Sequence, residues 1–280
     1  MNIVLLGKSG MLGSDLAAEL VAEGHHVIGF DSKTLDITNR NQLDQVLSSI
    51  KKPDFIINCA AYTKVDACES NREQAMLVNG FAVEWLAEFC QVAQTPLVHF
   101  STDYVFDGQK IEPYVETDFC NPINFYGESK RYGEEAILNT CEAYYIVRLQ
   151  WLYGKHGPNF VETILKKSHT VSELNIVNDQ WGSPSSTADM ARCIVSMLEN
   201  KPKWGIYHLA NQGHTTWFDF ASFFLSQKGI NTPVNPVPAT AYVTPAKRPE
   251  NSRLSLLKYT EAGCRDPLDW QKAVSNYLKS

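Results

Sequence analysis

Five short apolar runs separated by helix-length amphipathic segments dominate the first 150 residues: Ile3-Val4-Leu5-Leu6, Val27-Ile28-Gly29-Phe30, Phe55-Ile56-Ile57, Leu97-Val98-His99-Phe100 and Tyr145-Ile146-Val147. Runs that are apolar throughout, rather than at every second position, suit strands buried on both faces, as in a parallel sheet covered by helices. The segments between them carry apolar residues at helical spacing. Leu12, Leu16, Leu20 and Val21 share one face, as do Leu43, Val46, Leu47 and Ile50, and then Met76, Val83, Leu86 and Phe89. Right-handed crossovers between such strands give an α/β doubly wound parallel sheet of the Rossmann type. After about residue 150 the rhythm loosens into Gly157-Pro158, Gly182-Ser183-Pro184 and a Pro-rich stretch from Thr232 to Pro249. The chain thus reads as a first domain over residues 1–150 and a smaller mixed C-terminal lobe over residues 151–280, some of whose segments return to the sheet. No Ser/Gly or charged linker divides them, so a shared core is expected.

Charge and composition exclude several partners. With 25 Lys and Arg against 31 Asp and Glu, the net charge of −6 gives no field for binding nucleic acid or an anionic membrane. No stretch approaches the ~20 apolar residues of a membrane span, and the first residues lack the pattern of a secretory signal. The seven cysteines, Cys59, Cys68, Cys90, Cys120, Cys141, Cys193 and Cys264, are odd in number and scattered, which suits free thiols in a reducing cytoplasm. No C-x-x-C pair occurs, and His25-His26, His156 and His169 lack ligand spacing, so no metal is expected.

Gly7-Lys8-Ser9-Gly10-Met11-Leu12-Gly13 follows the first strand and opens the first helix. Glycine there lets backbone pass close to a pyrophosphate, the helix N-terminus offers unpaired N–H groups, and the last glycine permits tight helix-strand packing. The first domain is therefore expected to bind a dinucleotide. Asp31 ends the second run 18 positions after Gly13, placed to reach the adenine ribose hydroxyls of NADH; Lys33, two residues on, suits the 2′-phosphate of NADPH, and both cofactors stay open. Asp36, within Leu35-Asp36-Ile37, is expected near the adenine edge. Cys59, Ala60 and Ala61 supply small residues at the end of the third strand, where backbone approaches the cofactor or where the strand end simply packs tightly.

Tyr126 and Lys130 stand at i and i+4, one face of a helix. A free phenol ionises near pH ~10, and an adjacent cation is expected to lower that value and make Tyr126 a proton donor to a carbonyl under reduction. Ser101-Thr102-Asp103-Tyr104 follows the fourth strand, at the carboxyl edge where open α/β sheets bind ligands, and Thr102 is placed to hydrogen-bond the developing alkoxide.

With these motifs in place, the chain resembles the extended short-chain dehydrogenase/reductases and, within them, the dTDP-4-dehydrorhamnose reductase family. The resemblance spans nearly the whole length. It is carried by Leu35-Asp36-Ile37-Thr38, by Cys59-Ala60-Ala61-Tyr62-Thr63-Lys64-Val65-Asp66 and by Ser101-Thr102-Asp103-Tyr104-Val105-Phe106. Further strings are Asn121-Pro122-Ile123-Asn124-Phe125-Tyr126-Gly127, Trp151-Leu152-Tyr153-Gly154, Asn178-Asp179-Gln180-Trp181-Gly182-Ser183-Pro184, Gly205-Ile206-Tyr207-His208 and Arg248-Pro249-Glu250-Asn251-Ser252-Arg253-Leu254.

What the resemblance implies is reduction, by NADPH or NADH, of the 4-keto group of dTDP-4-dehydro-6-deoxy-L-mannose to dTDP-L-rhamnose for surface polysaccharide. It implies Thr102, Tyr126 and Lys130 as catalytic, with Lys130 also bonding the nicotinamide ribose and Asn79 backing the lysine through a water. The cofactor contacts it implies are Gly7, Ser9, Gly10, Met11, Leu12, Gly13, Asp31, Lys33, Asp36, Ile37, Cys59, Ala60 and Ala61. For the dTDP-sugar it implies Val65, Asp66, Thr102, Asp103, Tyr104, Trp151, Asn251 and Arg253, with Trp151 as an apolar platform and Arg253 on the diphosphate; Asp66 equally suits a helix cap. Lys247 stands where the family often has arginine, which weakens any bidentate contact there. A homodimer is expected on the same ground. An epimerase or dehydratase on this scaffold, and a non-catalytic NADP-binding regulatory subunit, are the competing expectations.

Overall fold

A computed structural model describes residues 1–280. The first half runs β1 (Asn2–Leu6), α1 (Met11–Ala22), β2 (His26–Phe30), α2 (Arg40–Ser49), β3 (Phe55–Asn58), α3 (Val65–Ser70), α4 (Arg72–Met76), α5 (Ala82–Ala93), β4 (Leu97–Thr102), α6 (Phe125–Thr140) and β5 (Tyr144–Leu149). There follow β6 (Leu152–Tyr153), α7 (Phe160–Ser168), β7 (Leu174–Val177), β8 (Trp181–Gly182), β9 (Ser185–Ser186), α8 (Thr187–Asn200) and β10 (Gly205–His208). The chain closes with β11 (Thr215–Thr216), α9 (Trp217–Gln227), β12 (Val234–Val237), α10 (Leu257–Glu261) and α11 (Trp270–Lys279). All five apolar runs lie in strands.

Six strands form one sheet in the order β10-β5-β4-β3-β1-β2, with every pairing parallel. The winding reverses between β1 and β3, so the carboxyl ends of these two strands flank a switch-point crevice. Two apolar layers explain why the runs do not alternate. Ile3, Leu5, Ile57, Val98 and Val147 pack against Leu12, Leu16 and Leu20 of α1 and Met190, Ile194 and Leu198 of α8. On the other face, Val4, Leu6, Ile56, Leu97 and Ile146 meet Leu43 and Leu47 of α2, Val83 and Leu86 of α5 and Ile137 of α6. Thus α8 covers the same side as α1, and β10 extends the edge at β5: residues 187–208 rejoin the sheet although they follow much of the second lobe. That lobe keeps an aromatic core of its own, with Tyr153, Phe220, Phe224 and Trp270 around Val161 and Ile176.

Two local departures matter for the site. Met76 does not continue in phase with Val83 and Leu86, because a π-helical turn over Leu77–Phe81 sits between α4 and α5. The wider turn breaks the 3.6-residue register and turns Asn79 into the interior, where it is fully buried. Beneath α6, Glu134 accepts two hydrogen bonds from Arg148 of β5, at 2.8 Å from Nε and 2.7 Å from Nη2, and both side chains are essentially inaccessible. Burial pushes the Glu134 carboxyl up, but the hydrogen bonds and charge of Arg148 outweigh it and hold it below the usual carboxylate value.

Candidate active site

At the switch point, backbone packing dictates the glycines. Gly7 has φ +74, and a Cβ there would stand 2.6 Å from the Ala60 nitrogen and 2.8 Å from the Cys59 carbonyl carbon. A Cβ on Gly13 would meet the Gly7 oxygen at 2.2 Å, so α1 seats directly on the turn only because that position has no side chain. Gly10 caps α1 without any side-chain bond, and no acid occupies the first turn. The N–H groups of Met11 and Leu12 therefore open an uncapped, uncompensated helix start beside Ser9, a cradle that fits a dinucleotide pyrophosphate. Lys8 lays its aliphatic stem over Gly29 of β2, where a Cβ would meet its Cδ at 2.3 Å.

The acids beyond β2 are partly occupied by their own turns. Asp31 Oδ1 accepts from Lys33 N at 3.0 Å, Thr34 N at 3.1 Å and Thr34 Oγ1 at 3.1 Å, and the first of these does most to lower its pKa. The second oxygen makes no bond within the chain, and the Lys33 side chain is exposed beside it. Asp36 accepts from Thr38 N and Oγ1 at 2.9 and 2.7 Å, while Leu35 and Ile37 anchor the segment in the core.

The structure brings Thr102, Asp103, Tyr104, Tyr126 and Lys130 together where β4 ends against α6. Asn124 caps α6 through Gly127 N, and Gly127 packs so tightly that a Cβ would meet the Tyr104 oxygen at 2.1 Å. The Tyr126 ring lies edge-on to Tyr104, centroids 5.9 Å apart. One turn on, Lys130 Nζ donates to the Phe100 oxygen at 2.6 Å and meets His99 Nε2 at 3.0 Å, fully enclosed. Both side chains of the i, i+4 pair therefore face β4.

The electrostatics differ from the expectation. The Tyr126 pKa is raised, first by burial and then by the Asp103 charge, with a Thr102 hydrogen bond as the opposing influence; Lys130 spends its amine on Phe100 and His99 instead of lowering it. The resting phenol is thus firmly protonated. Thr102 donates to Asp103 Oδ1 at 2.9 Å and accepts from Tyr104 N at 3.1 Å, so its proton points at Asp103 before any substrate arrives.

Asp103 is 3% exposed with Oδ2 unpartnered, and burial lifts its pKa to about 6 against hydrogen bonds from Ser252 and Thr102. A carboxyl with a raised folded pKa contributes stability below its unfolded value and loses it as pH climbs through the folded one. Asp103→Asn should therefore gain stability relative to the parent protein between about pH 4 and 7, by on the order of 2 kcal/mol. Denaturant titrations at both pH values check this, and a constant difference would contradict it.

Asn79 makes no direct hydrogen bond to Lys130. Its amide accepts from Tyr62 N at 2.8 Å and donates to Tyr62 O at 3.1 Å and Ser129 Oγ at 3.0 Å, fastening the loop before α3 to α6. The side chain that touches the lysine is His99, whose place inside an apolar strand run gives no sign of that contact. Val65 and Asp66 open α3, and Asp66 caps nothing: it binds Arg248 Nη1 and Nη2 at 3.0 and 2.8 Å.

Beyond the β4 end, a cleft of about 410 Å³ runs between Tyr104 and Arg248 on one side and Ile176, Gln180, Trp217 and Tyr242 on the other. Trp217, not Trp151, lines it. Trp151 stacks flat behind Trp217, centroids 3.6 Å apart, and holds φ +45, a costly conformation kept in place by that stack and by Gly182, whose missing side chain leaves room for the indole. Asn251 and Arg253 are also engaged within the chain. Asn251 Nδ2 donates to Lys110 O at 2.5 Å and Arg253 Nε donates to Asn251 Oδ1 at 2.9 Å, with the guanidinium bonded to the Ile111 carbonyl and lying over Trp181. The guanidinium that lines the cleft is Arg248. Composition-neutral positions such as Trp217 and Arg248 carried no spacing signal; only the tertiary arrangement places them.

A switch-point cradle for a dinucleotide and a phenol, hydroxyl and amine gathered one strand away make this architecture that of the extended short-chain dehydrogenase/reductases. The family model for the RmlD substrate binding domain matches residues 1–280. The chain belongs to that family, the dTDP-4-dehydrorhamnose reductases. It is 38% identical over 292 residues to the dTDP-4-dehydrorhamnose reductase of Escherichia coli strain K12, covering 99% of this chain and 97% of the relative. It is 37% identical over 278 residues to the spore coat polysaccharide biosynthesis protein SpsK of Bacillus subtilis strain 168, covering 99% and 97%. A crystal structure of the Bacillus anthracis dTDP-4-dehydrorhamnose reductase in complex with NADP superposes with a TM-score of 0.95 at 36% identity, covering 99% of this chain and 98% of that one.

Proposed function

We propose that the protein reduces the 4-keto group of dTDP-4-dehydro-6-deoxy-L-mannose to give dTDP-L-rhamnose, using NADPH or NADH, in the synthesis of rhamnose-containing polysaccharide. The gathering of Thr102, Tyr126 and Lys130 beside Tyr104, which lines the cleft, carries this reading. A reduced nicotinamide held in the crevice supplies the hydride. Thr102 turns its hydroxyl from Asp103 to the carbonyl oxygen and orients it, and Tyr126, protonated at rest, gives its proton to that oxygen as charge develops there. Lys130 positions the cofactor ribose and restores the phenol. The backbone from Gly7 through Gly13 takes the pyrophosphate, Asp31 and Lys33 the adenine ribose, Asp36 and Ile37 the adenine edge, and Cys59, Ala60 and Ala61 the flank of the cofactor.

On the sugar-nucleotide side we place Asp103, Tyr104, Val65, Asp66, Arg248 and Trp217, with Trp151 supporting Trp217 from behind. All seven thiols are free, and no helix is long and apolar enough to cross a membrane, which supports a cytoplasmic setting. Steady-state assays with dTDP-4-dehydrorhamnose and each reduced nicotinamide in parallel test the proposal. One equivalent of dinucleotide oxidised per sugar reduced, by protein purified without bound cofactor, is the expected result. Retained dinucleotide with an epimerised or dehydrated product, or tight binding of a cellular enzyme without turnover, would replace it.

A further inference from the structure

Behind Lys130 lies a closed line of hydrogen bonds whose direction can be read from one fixed end. Ala60 N–H donates to Asn58 Oδ1 at 3.0 Å. That bond fixes which way the Asn58 amide faces, so its NH2 group is the end turned to His99 Nδ1, 3.2 Å away. An NH2 can only donate, so Nδ1 is an acceptor and the neutral ring carries its proton on Nε2. His99 Nε2–H then points at Lys130 Nζ, 3.0 Å away, while Nζ itself donates to the Phe100 oxygen at 2.6 Å. An ammonium has no lone pair and would set N–H against N–H; a free amine accepts from His99 and donates to Phe100, and no N–H faces another. Asn58, His99 and Lys130 are each no more than 1% exposed, so bulk solvent does not reach the line to relieve a mismatch.

We propose that Asn58 and His99 are positioning residues that bias Lys130 toward the free amine, so that its ammonium gives up a proton far more readily than that of an ordinary lysine. The other groups facing Nζ are consistent with this. His99 stays neutral, its pKa held well down first by burial and then by Lys130. Burial pushes Lys130 down to about 8, with Glu134 of the same helix acting the other way, and burial raises the thiol of Cys59, just after β3, so that it brings no charge. The consequence for catalysis rests on the reductase reading. Each reduction consumes a proton: the Tyr126 O–H bond breaks as the new alcohol O–H forms, and the phenolate must then be reprotonated. Lys130, as an ammonium, gives up an N–H bond for the new phenol O–H bond and is left as the amine whose lone pair His99 already accommodates. His99 thus favours the deprotonated side of that step and makes Lys130 a ready proton donor.

The titration needs no substrate, so its outcome is separate from that of the reductase assay. In the full-length protein labelled with 13C-lysine, the Lys130 Cε signal is identified by its loss in Lys130→Arg and followed through a pH titration. The expected midpoint is near the value of about 8, well under the ordinary ~10.4 of lysine. Asn58→Asp reverses the line, because a carboxylate accepts both Ala60 N–H and His99 Nδ1–H and frees Nε2 to accept from an ammonium; its midpoint should rise by about one unit or more. His99→Gln, whose amide oxygen can take an ammonium proton, should raise it as well, with the alkaline limb of kcat moving in the same direction while the KM for dinucleotide stays in place. A parent midpoint at or above the ordinary lysine value, or one unmoved by either substitution, overturns the proposal. Should Asn58→Asp fail to fold, the parent titration and His99→Gln still decide.

Discussion

Tyr126→Phe is expected to lower kcat by about 10³-fold while leaving dinucleotide affinity within about threefold, because a positioned general acid contributes on the order of 10²–10⁴. The substitution removes one oxygen and keeps the ring, which lies edge-on to Tyr104, so the cleft retains its shape. Dinucleotide affinity is set elsewhere, at the uncapped start of α1 and the Gly7 turn. The raised pKa of Tyr126 sharpens the expectation. A phenol that holds its proton is useful as an acid and poor as a base, so the parent enzyme should reduce the keto sugar readily at neutral pH and run the reverse oxidation only as pH rises. Single-turnover kinetics with cofactor in excess separate chemistry from binding, and an unchanged rate would remove Tyr126 from the mechanism.

The largest effect on stability is expected at Arg148→Met. The replacement fills similar space but leaves Glu134 buried with Arg131 Nη1, at 3.0 Å, as its remaining cationic partner. Stripping one member from a buried pair costs about 3–5 kcal/mol, which for a chain of this size lowers Tm by roughly 10 °C. The pH dependence follows from the lowered Glu134 pKa. The contribution of the pair is fully present above the unfolded glutamate value of ~4.3 and is lost as pH falls through the depressed folded value, so the gap between parent and variant should close in acid. The double substitution Glu134→Gln with Arg148→Met should recover part of the loss, since no charge is then left unpaired. Calorimetry at neutral and acid pH measures both, and a Tm within two or three degrees of the parent would refute the assignment.

The sheet was legible in the sequence because burial on both faces leaves an unbroken apolar signature in every strand, and the glycine turn because backbone contact at Gly7 and Gly13 tolerates nothing else. The Tyr126 and Lys130 pair followed from helical spacing read together with the glycine turn and with Ser101 and Thr102 after the fourth run. What escaped was polar chemistry inside apolar runs. His99 occupies a strand position that reads as core, and its meaning comes from Asn58, 41 residues earlier, and Lys130, 31 residues later. The direction of the Tyr126 shift escaped for the same reason: spacing sets the amine near the phenol, but only the packing reveals that Phe100 and His99 take it first. That Trp217 and not Trp151 lines the cleft escaped too, because a left-handed backbone at Trp151, which no pattern of residue types announces, turns its indole behind its neighbour.

The late return of α8 and β10 to the sheet has a consequence during synthesis. Until residue 208 has left the ribosome, β5 is an edge strand with one side unpaired and one apolar face beside α1 lies bare, although the sheet's other four strands, β1 to β4, are already made. A nascent chain in that condition is sticky, and holding it apart from its neighbours is work for a chaperone. A fragment ending at residue 150 would freeze the chain at this stage and should collect in inclusion bodies.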